Sequence, residues 1–239
     1  MKGLIALVGS GEYLAAMEEI DRFLLAGSGA AGRPPRVVCL PTAAGLEGER
    51  SWGNWNRMGE EHFRKLGAQA VGLPLIDRES ANDAAFLPQL EDADLIYFSG
   101  GNPQYLIETL RASLAWQTAQ TAWQRGAVCA GCSAGAMILA RTIPDFRLAG
   151  FGSQPAFGIL PARMILPHFD RRRLARGAML APLKKRMQDG EFVLGIDEET
   201  ALVGRLDEGE WRVMGRQTVS RITRDGVQVY ASGERLPVS

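Results

Sequence analysis

Histidine is scarce in this chain: its 239 residues include two, His62 and His168. With no cysteine–histidine spacing of the kind that holds zinc, neither a metal centre nor a cofactor is expected. Cysteine is nearly as rare. Cys39, Cys129 and Cys132 are an odd number, which makes no disulfide framework and points to reduced thiols in a cytoplasmic protein. Net charge is missing too, because 27 Lys and Arg balance 27 Asp and Glu. That balance leaves no electrostatic footprint for nucleic acid or an anionic membrane. No apolar run approaches the roughly twenty residues of a transmembrane helix. The apolar stretch at residues 4–8 is too brief and too weakly flanked by charge for a signal peptide, and reads as a buried strand. There is no internal repeat, low-complexity segment or linker composition, so one α/β domain over residues 1–239 is expected.

What is present is an alternation of short apolar strands and helical patterns. Strands are expected at residues 4–8, 36–40, 69–75 and 94–98, and helices at 13–25, 52–66, 103–111 and 114–124. Asn102 followed by Pro103 has the form of an N-cap and a first helical residue. Gly9-Ser10-Gly11-Glu12 follows the first strand but lacks the third glycine of a dinucleotide fingerprint. Past residue 142 the pattern changes. Residues 142–158 are turn-rich, 164–166 are a short apolar run, and 171–187 are helix-like and basic. Short strands at 192–196, 200–203, 211–214, 219–222 and 227–230 are expected to extend the sheet edge antiparallel. The expected architecture is α/β, a doubly wound, mostly parallel sheet with a C-terminal antiparallel extension. Ligands on such sheets bind beyond the carboxyl ends of the strands, which groups residues 9–12, 100–104 and Ser133 around one crevice.

The stretch Ala127-Val-Cys-Ala-Gly131-Cys132-Ser133-Ala134-Gly135 has the form of a nucleophile elbow: an apolar strand ending in Gly-x-Ser-x-Gly, then a helix. Side chains at Gly131 or Gly135 would crowd strand against helix. The turn lifts the Ser133 hydroxyl out of the sheet and leaves the Ala134 N–H at a helix start, where it can donate to an oxyanion. Cys129 and Cys132 form a C-x-x-C, but Cys129 belongs to the buried strand and Cys132 should point away from Ser133.

A serine hydroxyl needs a base, and the base needs a group to fix its tautomer. His62 is expected on a solvated helix face, so His168, delivered by an apolar run and Pro167, is the candidate base. Asp145 and Asp170 compete for the orienting role. Arg171 and Arg173, beginning a helix beside His168, are expected to clamp a substrate carboxylate, with Arg172 solvated.

Taken together, Gly100-Gly101-Asn102, Gly131-Cys-Ser133-Ala-Gly135-Ala, Gly158-Ile-Leu-Pro161 and Pro167-His168-Phe169 resemble, in order, the serine peptidases typified by α-aspartyl dipeptidase and cyanophycinase. The stretches His168-Phe-Asp-Arg-Arg-Arg-Leu-Ala-Arg176 and Gly195-Ile-Asp-Glu-Glu-Thr-Ala-Leu-Val203 look like those of cyanophycinase. The resemblance implies a class I glutamine-amidotransferase-like fold in which serine replaces the usual cysteine. Ser133 and His168 take the nucleophile and base positions, and Gly101 supplies a second oxyanion N–H beside that of Ala134. Asn102 and Gln104 fall at substrate-binding positions, although Pro103 intervenes before the glutamine where cyanophycinases have none. The dipeptidases carry their acid in a segment similar to residues 142–146, which favours Asp145. The chain thus mixes two subfamilies. The implied activity is hydrolysis of small peptides or isopeptides, aspartyl or β-aspartyl, through an acyl-enzyme. The expected partner is a small peptide substrate, with a homodimer left open. An esterase or amidase using the same acyl chemistry, and a non-catalytic binder of small ligands, are the alternatives.

Overall fold

The computed structural model describes residues 1–145, 152–172 and 176–238. Its strands are β1 (Ile5–Val8), β2 (Arg36–Leu40), β3 (Gln69–Gly72), β4 (Leu95–Phe98), β5 (Val128–Cys132), β6 (Thr142–Pro144), β7 (Ser153–Pro155), β8 (Met164–Leu166), β9 (Val193–Ile196), β10 (Thr200–Gly204), β11 (Glu210–Gly215), β12 (Thr218–Ile222), β13 (Val227–Ala231) and β14 (Arg235–Pro237). The helices are α1 (Glu18–Ala26), α2 (Glu49–Lys65), α3 (Leu87–Glu91), α4 (Pro103–Leu110), α5 (Leu114–Arg125), α6 (Ala134–Met137) and α7 (Arg176–Lys185).

The fold is mixed α/β around an eight-stranded sheet of order β14-β11-β10-β1-β5-β4-β2-β3. From β3 to β1 the neighbours run parallel, and β10, β11 and β14 add antiparallel. Alternate strand residues supply two different cores. Ile5, Leu7, Val38, Leu40, Ile96 and Phe98 pack with residues of α4, α5 and α6. Ala6, Val8, Val37, Cys39, Leu95 and Tyr97 pack with Ile20 and Leu24 of α1 and Phe63 of α2. Each fully buried Leu or Ile contributes about 1.5–3 kcal/mol. Burial on both faces therefore holds the carboxyl ends of β1, β4 and β5, from which the site is built, in fixed register.

The C-terminal strands do not all extend this sheet. β9, β12 and β13 instead join β8 in a second sheet of order β13-β12-β9-β8, in which β8 and β9 are parallel. The chain changes sheet in the three residues between β9 and β10, where Glu199 adopts the left-handed region at φ +51°. A second difference concerns His62. It is buried rather than solvated, with Nε2 2.7 Å from Asp21 Oδ2 on α1. A polar ring can lie on the buried face of α2 because a carboxylate 41 positions earlier meets it there. Among the described residues, no helix is long and apolar enough to cross a membrane.

Candidate active site

Ser133 follows β5 directly and sits at φ +49°, ψ −107°, a strained conformation for a residue with a Cβ. Its backbone N–H donates to Val8 O on the neighbouring strand at 2.9 Å, which ties the turn to β1. The flanking glycines permit the bend. A Cβ on Gly131 would lie 2.3 Å from the Gly135 carbonyl carbon, and one on Gly135 would lie 2.2 Å from Phe98 O. The Cys132 side chain turns the other way into the core, fully buried. Burial, and then the Glu12 carboxylate beside it, pushes the Cys132 thiol well above its ordinary range, so it remains protonated and inert.

His168 arrives from the second sheet. β8 is buried throughout, Pro167 follows, and His168 turns at φ +50° while the next residue, Phe169, donates its N–H to Ile196 O at 3.1 Å. The Phe169 ring lies where a Cβ on Gly195 would otherwise be, 2.6 Å away, which closes the backbone against β9. The imidazole then meets the elbow, with His168 Nε2 3.2 Å from Ser133 Oγ.

The other ring nitrogen, Nδ1, lies 2.7 Å from Glu198 Oε1. A carboxylate only accepts, so Nδ1 carries the proton and Nε2 is free to take one from the serine. Glu198 belongs to the turn that crosses from one sheet to the other, between the strand beside β8 and the strand beside β1. Arg171 Nε lies 2.7 Å from the same oxygen. Burial works against the Glu198 charge, but the His168 and Arg171 contacts outweigh it and hold the carboxyl below its usual range.

The carboxylate that meets His168 is therefore Glu198, and not either of the two aspartates expected there. Asp145 directly follows β6, at the end of the two-stranded β6–β7 element, with its backbone N–H donating to Gly152 O at 2.9 Å. Asp170 acts one step back. Its Oδ1 accepts the Glu198 backbone N–H at 2.9 Å and its Oδ2 accepts from Gln217 Nε2 at 3.4 Å, so it braces the turn carrying Glu198. Arg171 is mostly exposed and engages Glu198 rather than standing free as a substrate clamp. Arg173 lies outside the described residues.

Gly100 and Gly101 stand beside the serine, since a Cβ on Gly100 would lie 3.4 Å from Ser133 Cβ. Gly101 takes φ +137°, and a Cβ there would lie 2.5 Å from Ala43 O, so the turn requires glycine. Ala134 is the first residue of α6, a position whose N–H has no partner within the helix. Asn102 and Gln104, expected at substrate-binding positions, serve α4 itself. Asn102 Oδ1 caps the helix by accepting the Gln104 and Tyr105 N–H groups, both at 3.0 Å, and Gln104 Nε2 donates to Glu108 Oε1 at 2.9 Å.

Glu198 was the site residue the sequence concealed. It lies in Asp197-Glu198-Glu199, three successive carboxylates, and only the placement of the β9–β10 turn separates their roles. Asp197 caps β12 through Thr218, Glu199 pairs with Arg216 at 2.6 Å, and Glu198 alone of the three meets the histidine. Its signal was the likeness of residues 195–203 to cyanophycinase.

Comparison with known proteins places the chain among peptidases. The sequence model of peptidase family S51 matches residues 5–211. An uncharacterized peptidase, YgaJ, from Bacillus subtilis (strain 168) is 27% identical over 179 residues, covering 74% of this chain and 73% of the relative. Among solved structures, a peptidase from an acI-B1 Actinobacterium superposes with TM-score 0.87 at 37% identity, covering 99% of this chain and 97% of the other. A putative peptidase E protein from Listeria monocytogenes EGD-e superposes with TM-score 0.64 at 17% identity, covering 91% and 100%, a likeness of fold.

Proposed function

The chain belongs to peptidase family S51, and from that premise we propose that it is a serine peptidase cleaving small peptides or isopeptides through an acyl-enzyme on Ser133. The observation that carries this reading is the continuous relay Ser133 Oγ, His168 Nε2, His168 Nδ1, Glu198 Oε1, with gaps of 3.2 and 2.7 Å. Ser133 Oγ attacks the scissile carbonyl while its proton passes to Nε2, and the Glu198 carboxylate stabilises the imidazolium. The carbonyl oxygen, now negative, is met by the N–H groups of Ala134 and Gly101. Collapse of the tetrahedral species breaks the amide bond, and the Nε2 proton leaves with the amine. Water then attacks the ester, giving its proton to Nε2, and the carboxylic acid departs as Ser133 recovers its hydrogen.

The scaffold reading is a doubly wound, class I glutamine-amidotransferase-like sheet with serine in the cysteine's place. The supporting features are the parallel order β3-β2-β4-β5-β1 and the elbow at the end of β5. For substrate we propose a peptide with an aspartyl or β-aspartyl residue at the cleaved bond, supported by the dipeptidase-like and cyanophycinase-like motifs. Since Arg171 is held by Glu198, Arg173 is the arginine assigned to the substrate carboxylate. The three thiols are all unpaired and buried, which accords with a cytoplasmic location.

The test is labelling with a fluorophosphonate, followed by a hydrolysis screen. Labelling of the wild type at Ser133 and none in Ser133→Ala is expected, whereas a folded but unlabelled wild type would leave a ligand-binding protein. In the screen, α-aspartyl and β-aspartyl dipeptides should be cleaved in preference to asparaginyl dipeptides and simple esters. Arg173→Gln should erase the preference for acid over amide. Equal rates on aspartyl and asparaginyl peptides in the wild type would remove the acidic-substrate assignment while leaving the peptidase standing.

A further inference from the structure

The loop after β1 holds a carboxylate that the reaction as described does not use. Glu12 is 8% exposed and spans two elements remote from it in sequence. Its Oε1 accepts the Gly100 N–H at 2.9 Å, and its Oε2 accepts the Cys132 S–H at 2.8 Å. Gly100 immediately precedes Gly101, and Cys132 immediately precedes Ser133 and Ala134. One Glu12 oxygen therefore holds the residue directly before Gly101, and the other holds the residue two before Ala134, across the nucleophile's own position.

The Gly-Gly turn needs such a grip. Glycine is conformationally permissive, so a two-glycine turn keeps its N–H aimed only if its neighbours are anchored. Beyond Gly101 the anchor is Asn102, whose N–H donates to Ala43 O at 2.8 Å. Before it the anchor is Glu12. On the other side, the elbow is fastened to β1 through the Ser133 N–H, and Glu12 joins it to the turn through Cys132.

We propose that Glu12 is a positioning residue that sets the separation between the Gly101 and Ala134 N–H groups, and thereby the fit of the oxyanion. This rests on the serine-peptidase reading of the same site. Glu12 acts through reach rather than through charge, because a negative group near a developing oxyanion opposes it. A carboxylate suits the place because both of its oxygens accept, so one side chain can hold two donors. Misplacement of a reacting group by about 1 Å from a remote change costs about a hundredfold, which sets the scale expected here.

The measurement is the second-order rate of Ser133 labelling by a fluorophosphonate, whose phosphoryl oxygen occupies the oxyanion position, across pH 5–9. Thermal melting is followed in parallel on the same full chain. Glu12→Ala should label about ten- to a hundredfold more slowly than wild type with the midpoint of the pH profile unmoved, since the histidine and its carboxylate are untouched. Glu12→Gln, which keeps the length and can still bridge both groups, its oxygen accepting from the Gly100 N–H and its amide donating to Cys132 Sγ, should recover most of the rate. Should the alanine variant not fold, Glu12→Asp carries the same expectation, because it keeps the charge but is one methylene too short to span both donors. A folded alanine or aspartate variant labelled at the wild-type rate would overturn the proposal, as would a glutamine variant as slow as alanine. An unlabelled wild type would instead remove the peptidase reading on which the proposal stands.

Discussion

Two histidine–carboxylate pairs stand in this molecule at the same distance, 2.7 Å, in very different surroundings. His62 and Asp21 are sealed, with side chains 5% and 1% exposed, under the rings of Tyr13 and Phe63. His168 and Glu198 are 37% and 19% exposed, and the free nitrogen of that ring faces a hydroxyl. Burial raises the Asp21 carboxyl above its usual range despite the opposing histidine, whereas His168 and Arg171 overcome burial and lower that of Glu198. The comparison shows that a short contact between imidazole and carboxylate is not a catalytic feature in itself. What fits one pair for the proposed chemistry is an open second nitrogen, a hydroxyl within reach, and an acid kept charged.

The largest expected effect removes the nucleophile from the open pair. Ser133→Ala should lower the hydrolysis rate by about four to six orders of magnitude and leave thermal melting near that of wild type. Next, Glu198→Gln should reduce kcat by about 10³- to 10⁴-fold with little change in KM, because the amide favours the wrong tautomer. Asp145→Asn measured alongside should stay near wild type, and a crippled Asp145→Asn beside a healthy Glu198→Gln would transfer the role. The closed pair should answer in stability instead. Asp21→Ala leaves a buried histidine without its partner and should cost about 3–5 kcal/mol in denaturant unfolding. The folded fraction should label at Ser133 at the normal rate.

Acid should distinguish the pairs as well. A carboxyl with a lowered pKa in the folded chain stabilises it above the unfolded value of about 4.3, and that stability is lost as pH falls through the folded value. The melting difference between wild type and Glu198→Gln should therefore hold from neutral pH to about 4.3 and shrink below it. Asp21 has the opposite sign: its raised pKa favours the folded chain at low pH, and that contribution is lost as pH rises through the folded value. The smallest effect is that of Arg171→Gln. Its side chain is 72% exposed, and exposed ion pairs are worth about 0–1 kcal/mol, so kcat should fall no more than about fivefold.

How far the sequence could be read depended on the range of the forces involved. The parallel strands and the elbow were legible because their signals are local: continuous apolar runs, and glycines two residues either side of a serine. His168 was legible because Pro167 and an apolar run delivered it to a strand end. Asn102 was legible as a cap, its side-chain oxygen accepting from the first turn of the helix it starts. Glu198 and His62 were not legible, for one shared reason. Their roles are set by partners 30 and 41 positions away, on elements that meet only after the sheets have formed. The split of the C-terminal strands between two sheets belongs with them, because strand alternation gives the face of a strand but not its neighbour.

The packing at Gly131 and Gly135 has a consequence for descent. The elbow accepts the loss of its oxygen and refuses the gain of a carbon. Ser133→Ala removes an atom from an open face, whereas a methyl at either glycine would stand 2.2–2.3 Å from backbone atoms of the opposing segment. A lineage can thus fall silent in one step at the serine and keep its shape, while both glycines go on being required by the packing. The shape of the corner is fixed by its glycines, and the hydroxyl between them can come or go without it.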